Sequence, residues 1–361
     1  MKLEKIRTHI DLHTSVMHPM MVALVLFVVS IVICMLIIRF KGILDSPNSR
    51  SSHTKPTPTA GGLAIVVTFF IGIGIMHAGA DIPGITGNIF LGFIISGLII
   101  AAISFYDDLQ NTTFVLRLAI EITAVLIAIG SGIIIKWTDC SVMQWQGINL
   151  CMTGGIISFF WILGLTNAYN FMDGLNGMAA GNAIIAFIFL GWISFLRGNN
   201  FTYFTSYILI AGTFGFFIFN FPKGHLFMGD VGSTFLGFTF ACLAIISSQC
   251  GNYHIPLLLI PLLLFHFIYD TFFTFCRRFV AGENVFQAHR THLYQLFNQL
   301  GFSHEMVSGF YFLLAIIQGY GALFMADNPG ISGLLIFIPY LIFQFIYSII
   351  IIYFAKKKKL I

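Results

Sequence analysis

Acidic and amide side chains interrupt the apolar stretches of this 361-residue chain in three places. Asp107 and Asp108 directly follow one apolar run, and Asp230 lies in a Gly-Asp-Val-Gly-Ser segment where another run begins. Asn170 and Asp173 are three residues apart, so a continuing helix would place both on one face. Adjacent carboxylates repel unless a divalent cation or a basic substrate neutralises them. These residues therefore predict a site for a metal ion or a phosphorylated ligand.

Each of these acidic and amide features also has a purely structural interpretation. The aspartate pair could be solvated and cap the next helix, and Asp230 could be an N-cap without a ligand. Hydrogen bonds between helices would explain Asn170 and Asp173 equally well. The alternatives stay open for each feature taken alone.

A basic segment follows later in the chain. His289, Arg290 and His292 lie in the polar stretch 277–304, where fixed positive groups could clamp a diphosphate. The alternative is a solvated basic loop that touches lipid headgroups.

Two further features are interpreted as structural. Asp270 lies in an apolar run that Arg277 and Arg278 follow, which indicates a structural ion pair. Cys140 and Cys151 share one predicted loop, where they either form a disulfide or remain free thiols.

Composition predicts how these residues are positioned. The chain is 58% hydrophobic and only 9% charged, whereas soluble domains carry roughly 25% charged residues. A hydrocarbon core takes ~20 residues to cross. We therefore expect one all-α, polytopic membrane domain over residues 1–361 with 10–11 spans. The predicted spans are 18–38, 61–79, 88–105, 114–135, 153–169, 177–196, 203–220, 234–250, 254–276, 305–325 and 331–354.

The positions of lysine and arginine predict the orientation of the bundle. With eleven crossings, 13 of the 18 basic residues fall on one side and 5 on the other. The positive-inside rule then places the polar N-terminal tail 1–17 outside, and the substrate loop 277–304 and the basic tail 355–361 in the cytoplasm. All the acidic, amide and histidine clusters lie on that same cytoplasmic side.

Short loops leave no room for a nucleotide-binding α/β domain, and no P-loop or dinucleotide fingerprint is present. Metal-assisted phosphoryl exchange at a membrane surface needs charge neutralisation above all, and carboxylates, arginine and histidine supply it. Nucleic-acid binding is not expected, because the net charge of +4 fits a membrane interface.

The motifs resemble the polyprenyl-phosphate N-acetylhexosamine-1-phosphate transferase family. The resemblance rests on the Asp-Asp pair, Asn-x-x-Asn-x-x-Asp-Gly from Asn167, Phe-Met-Gly-Asp-x-Gly-Ser from Phe227, and the histidine-bearing final loop. The segments Pro47–His53 and Ala288–His292 look most like the branch that initiates O-antigen or other surface polysaccharides.

The resemblance implies transfer of an N-acetylhexosamine 1-phosphate from a UDP-sugar to undecaprenyl phosphate in the bacterial inner membrane, with release of UMP. GlcNAc is the default sugar, with GalNAc, QuiNAc or FucNAc types open, and a homodimer is possible. The alternatives are the pentapeptide transferase of the same family, a transporter or lipid flippase, and a non-catalytic scaffold. A transporter would place its charges near mid-membrane.

The family also implies roles for individual residues. Asn170 and Asp230 would hold Mg²⁺, with Mn²⁺ as the alternative. Asp107, with Asp108 beside it, would act on the lipid phosphate, and Asp173 would organise the metal site. The residues expected around the uridine are Lys55, Asn176, Asn220 and, by stacking, Phe227. Those expected to contact phosphates or close over the sugar are Arg117, His289, Arg290 and His292.

Three positions depart from the family pattern. Asn176 stands where most members have a second aspartate, so uracil recognition would rely on an amide. No lysine follows the aspartate pair as it does in the peptidoglycan branch, and Tyr294 replaces a histidine. The last two departures weigh against a pentapeptide substrate.

Overall fold

The computed structural model describes residues 13–40, 43–45, 56–79, 85–110, 112–136, 150–249, 255–285, 287 and 289–361. These ranges are almost entirely helical, since a helix satisfies its own backbone hydrogen bonds in lipid. The two short strands β1 Leu44–Asp45 and β2 Thr57–Pro58 pair antiparallel. The helices are α1 His13–Phe40, α2 Gly62–Gly79, α3 Gly87–Gln110, α4 Phe114–Gly130, α5 Leu150–Phe171, α6 Met178–Arg197, α7 Asn200–Asn220, α8 Gly229–Gln249, α9 Leu259–Leu263, α10 Phe265–Val280, α11 Leu293–Gln299, α12 His304–Asp327 and α13 Gly333–Lys357.

Among the described residues, seven helices are long and apolar enough to cross a membrane, and α2 is a shorter apolar helix. Large apolar side chains such as Leu98, Trp192 and Phe345 are exposed on the outside of the bundle. A soluble surface would not tolerate this many, whereas lipid does. The predicted all-α polytopic membrane fold is therefore confirmed, and the protein is a multi-pass membrane protein.

Some predicted bounds were wrong. The fourth span ends at Gly130 instead of residue 135, just before Gly132, whose φ of 109° favours glycine and stops a helix. The ninth predicted span is divided at Leu264, whose φ of −109° and ψ of 15° are not helical. The predicted loop 277–304 contains the end of α10 and all of α11. α8 begins at Gly229, five residues earlier than predicted.

Helix α8 is the centre of the bundle: it is buried along its whole apolar length and packs against α2, α3 and α5. Glycines bring α2 close, since a Cβ on Gly62 would lie 2.2 Å from the Cα of Gly232. Backbone hydrogen bonds fix the start of α8, because the amide of Phe227 donates to the carbonyl of Pro58 at 2.8 Å. The amide of Gly61 returns a bond to the carbonyl of Phe227 at 2.8 Å. The first turn of α8 is thus held rigidly.

Candidate active site

Four helix ends meet at one end of the bundle: the C-terminal ends of α3 and α5 and the N-terminal ends of α4 and α8. Side chains that the sequence places on separate apolar runs are in contact there. The residues brought together are Asp107, Asp108, Arg117, Asn170 and Asp230.

Arg117 is the hub of this cluster. Its guanidinium donates to Asp107 Oδ2 at 3.2 Å, to Asn170 Oδ1 at 3.1 Å and to Asp230 Oδ2. The side chain is only 16% exposed, so these ion pairs are shielded from solvent. One planar cation thus links three helices, as the fixed fork of donors on a guanidinium allows.

Sequence reasoning missed the residues that hold Arg117. Its Nε donates to Glu121 Oε1 at 3.1 Å, and the Glu121 side chain is 1% exposed. The other oxygen of Glu121 accepts from Asn167 Nδ2 at 2.9 Å. A carboxylate four residues after an arginine, inside an apolar run, is the signal that would have identified Glu121. Asn167 is the first residue of the Asn-x-x-Asn-x-x-Asp-Gly motif, but the family resemblance implies no role for it.

The two neighbouring aspartates have different environments. Asp107 accepts from the amide and hydroxyl of Thr112, at 2.7 and 2.5 Å, and faces Arg117. Asp108 instead accepts from the backbone amides of Asp230 and Val231, at 2.8 and 3.1 Å. Asp108 therefore caps the first turn of α8. The alternative that the aspartate pair caps a helix is thus correct for Asp108, but the capped helix is α8 and not α4, the next helix in the chain. Asp107 is thus the one of the two aspartates that faces Arg117.

Asp108→Ala is expected to destabilise the protein by about 1–2 kcal/mol, because two amides at the start of α8 lose their acceptor. The thermal unfolding midpoint in detergent measures this loss. Asp327→Ala, at a carboxylate that is 73% exposed, is the control and should leave the midpoint unchanged. An unshifted midpoint for Asp108→Ala would contradict the capping role.

The oxygens of Asn170 and Asp230 are the kind that hard divalent cations prefer. In the described part of the chain, no three His, Cys, Asp or Glu side chains converge into a metal site by themselves. Asn170 Nδ2 donates to Asp230 Oδ1 at 3.0 Å and to Ser233 Oγ at 2.9 Å, and Arg117 binds the remaining oxygens. The donor chemistry fits Mg²⁺, but a cation would compete with Arg117 for these atoms.

Asp173 lies in the turn after α5, which ends at Phe171, so the expected shared helix face with Asn170 is not formed. The Asp173 amide donates to the carbonyl of Asn170 at 3.2 Å. Burial and the nearby carboxylates of Asp230 and Asp108 raise the pKa of Asp173 well above its ordinary value. This carboxyl therefore takes up a proton more readily than an exposed aspartate does.

Tyr294 fastens this turn to α11. Its hydroxyl donates to the carbonyl of Phe171 at 2.9 Å. A Cβ on Gly174 would lie 2.1 Å from the same hydroxyl, so only glycine fits there. Burial is the largest influence that raises the pKa of Tyr294, and the hydroxyl stays neutral. Tyr294, which stands where the family has a histidine, thus has a structural role in this protein.

The residues expected around the uridine are placed as follows. Asn220 is 4% exposed; its Oδ1 accepts from the amide of Gly177 at 2.6 Å and its Nδ2 donates to the carbonyl of Leu226 at 2.9 Å. Asn176 Nδ2 donates to the carbonyl of Pro222 at 2.9 Å. Asn220 therefore braces two loops, while Phe227 is half-buried beside the start of α8. Lys55 lies outside the described residues, as do Cys140 and the side chain of Cys151.

Arg278 organises the loop that precedes α11. Its guanidinium donates to Glu283 Oε2 at 2.7 Å and to the carbonyls of Asn284 and Gln287, at 2.8 and 3.1 Å. This ion pair also lowers the pKa of Glu283. The loop is therefore folded on a buried arginine, unlike a solvated basic loop.

His289 and His292 stack with ring centroids 4.8 Å apart, and the His292 side chain is only 7% exposed. Burial, and then the positive field of His292 and the arginines, lowers the pKa of His289 to about 4. The His292 ring lies 6.0 Å from that of Phe171, which directly follows Asn170. The backbone carbonyl of Arg290 accepts from Gln299 Nε2 at 2.7 Å. His292 thus packs against the end of α5 that carries Asn170, while contacts of the two histidines with substrate remain a prediction.

Fold and site together define a multi-pass membrane protein with a polar centre suited to phosphorylated ligands. Residues 90–248, from α3 to α8, match the model of glycosyl transferase family 4. The chain is 27% identical over 311 residues to a probable undecaprenyl-phosphate N-acetylglucosaminyl 1-phosphate transferase of Bacillus subtilis (strain 168), covering 84% of each protein. These matches support the polyprenyl-phosphate hexosamine-1-phosphate transferase family, which confirms the resemblance found in the motifs.

Other relatives come from two branches. A decaprenyl-phosphate N-acetylglucosaminephosphotransferase of Mycobacterium tuberculosis (strain ATCC 25618 / H37Rv) is 28% identical over 310 residues, 78% of this chain and 75% of the relative. A phospho-N-acetylmuramoyl-pentapeptide-transferase of Streptococcus thermophilus (strain CNRZ 1066) is 30% identical over 204 residues, 53% of this chain and 58% of the relative. The matches to the N-acetylglucosamine branch cover more of the chain.

Proposed function

We propose that this protein transfers N-acetylglucosamine 1-phosphate from UDP-N-acetylglucosamine to undecaprenyl phosphate. The observation that carries the proposal is the cluster of Asp107, Asn170 and Asp230 around Arg117, at one end of a membrane bundle. The similarity of this chain to the N-acetylglucosamine 1-phosphate transferases of two bacteria supports the same substrates. A site at the helix ends suits an acceptor whose chain lies in the bilayer and whose phosphate lies at the surface.

In the reaction, an oxygen of the lipid phosphate attacks the phosphorus that carries the sugar. A new phosphorus–oxygen bond forms, the anhydride bond between the two donor phosphates breaks, and UMP leaves with the bridging oxygen. Asp107 orients or deprotonates the acceptor phosphate, and Arg117 neutralises charge on the transferred group. Asn170 and Asp230 would hold Mg²⁺, or Mn²⁺ in its place, which supplies further charge neutralisation when bound.

We place the site on the cytoplasmic face of the bacterial inner membrane, with the N-terminus outside, as the distribution of basic residues favours. UDP-sugars are then available to it from the cytoplasm. The product would initiate a surface polysaccharide such as O-antigen.

The test uses purified protein in detergent with radiolabelled UDP-N-acetylglucosamine, undecaprenyl phosphate and Mg²⁺. We expect label to become lipid-extractable, UMP to appear in equal amount, and both to stop when EDTA removes the metal. A panel with UDP-GalNAc, UDP-QuiNAc, UDP-FucNAc and UDP-MurNAc-pentapeptide tests the donor. A lipid product from the pentapeptide donor alone would overturn the choice of sugar, and no lipid product from any donor would favour a transporter or scaffold.

A further inference from the structure

The buried carboxylate of Asp270 in α10 is a feature that the proposed reaction does not use. It is 1% exposed and accepts five hydrogen bonds. Its Oδ2 accepts from the amide of Tyr294 at 3.1 Å and the hydroxyl of Tyr311 at 3.0 Å. Its Oδ1 accepts from the amide of Leu293 at 2.8 Å and from Thr274 at 3.2 Å. The fifth donor is a histidine of the candidate site.

That fifth donor is His292 Nδ1, 3.3 Å from Asp270 Oδ1. The hydrogen-bond partner of Asp270 is thus His292 and not one of the two arginines that follow in the sequence, since Arg278 pairs with Glu283. Arg277 instead donates to the carbonyl of Thr291 at 2.8 Å. Asp270 therefore contacts His292, a residue of the candidate site, although the proposed reaction does not use Asp270 itself.

We propose that Asp270 is a positioning residue that orients His292 towards the diphosphate of the sugar donor. A carboxylate on Nδ1 keeps the proton on that nitrogen, which leaves Nε2 as the nitrogen that faces a ligand. The negative charge also stabilises the doubly protonated ring, whose Nε2–H donates to a phosphate oxygen. The capping contacts with Leu293 and Tyr294 fix the backbone that carries the ring. This inference rests on the proposed function for the identity of the ligand.

Several charged and titratable side chains lie around this ring. The titratable and charged side chains around it are Asp270 and Arg277 from α10, His289 and Arg290 from the preceding loop, Tyr294 from α11 and Tyr311 from α12. Among them, Asp270 is the carboxylate that contacts the ring.

A double-mutant cycle tests the proposal on product formation. Asp270→Asn and His292→Gln are each expected to lower kcat/KM about 10- to 100-fold. The double variant should be no worse than His292→Gln, because Asp270 acts through that ring. Multiplied losses would overturn the proposal, since a purely structural acid would damage the protein whether or not His292 is present. If Asp270→Asn does not fold, the same cycle is run with Asp270→Ser.

Protonation of the ring gives a readout that needs no turnover. Exchange of the imidazole C2 hydrogen for deuterium, followed by mass spectrometry over a pH series, reports the titration midpoint of each histidine. Trypsin cleaves after Arg290 and chymotrypsin after Phe302, so digestion with both separates His292 from His289 and from His304. We expect Asp270→Asn to lower the midpoint of His292 by about one pH unit, and Asp270→Glu to restore it. An unchanged midpoint would overturn the proposal, whereas an inactive wild-type protein would instead contradict the proposed function.

Discussion

Asp230→Asn is expected to lower formation of the lipid-linked product about 1,000-fold while the protein still folds. The amide has the same shape, and the backbone contacts of residue 230 with Asp108 and Thr234 do not involve its side chain. What is lost is the negative charge that binds Arg117 and would bind Mg²⁺. The assay is transfer of labelled sugar phosphate to the lipid, with the unfolding midpoint measured on the same sample.

Asp327→Asn is the matched control for this variant. Asp327 is an aspartate at the far end of the bundle, where it pairs with Arg197 at 3.5 Å. It should retain full activity. If Asp230→Asn kept more than a tenth of wild-type turnover, Asp230 would not be a ligand of an essential metal.

Arg117→Lys is expected to lower kcat/KM about 100-fold, although it conserves the charge. Three helices depend on the guanidinium, which reaches Asp107, Asn170 and Asp230 at once and is oriented by Glu121. A lysine ammonium is a compact point charge and cannot reproduce this flat set of donors. Arg197→Lys, at the opposite end of α6 from the site, serves as the control and should be active.

Arg117 variants should also change metal binding in the absence of substrate. Since the guanidinium binds the oxygens of Asn170 and Asp230 that would hold a cation, Arg117→Gln is expected to tighten Mn²⁺ binding about tenfold. Electron paramagnetic resonance of free Mn²⁺ measures this affinity directly. Weaker binding in Arg117→Gln would show that the arginine supports the metal and does not compete with it.

Some of the site was predictable because its residue types are costly in a membrane. Asp107, Asn170 and Asp230 stand out from their apolar surroundings, and their grouping at one end of the bundle is found in the structure. Glu121 was missed because it lies inside a run that reads as a continuous span. Asp270 was noticed, but its partner could not be deduced, since His292 is 22 residues away along the chain.

Helix packing also decided how neighbouring residues divide their roles. Asp107 and Asp108 are equivalent in sequence, yet one faces Arg117 and the other caps α8. Asn220 was expected at the nucleotide, and the structure shows its amide engaged with Gly177 and Leu226. Sequence patterns do not reveal such differences, because they depend on the rotation of one helix against another.

The membrane class, the family motifs and most of the polar residues at the site can be recognised from the amino-acid sequence alone. Those features follow from the composition and from the order of residues along the chain, because lipid admits long apolar helices and excludes unpaired charge. The links from Arg117 to three helices and the contact between Asp270 and His292 become visible only in the folded chain. A hydrogen bond forms only at about 3 Å, and close contacts such as Gly62 against Gly232 set the helix positions to that accuracy.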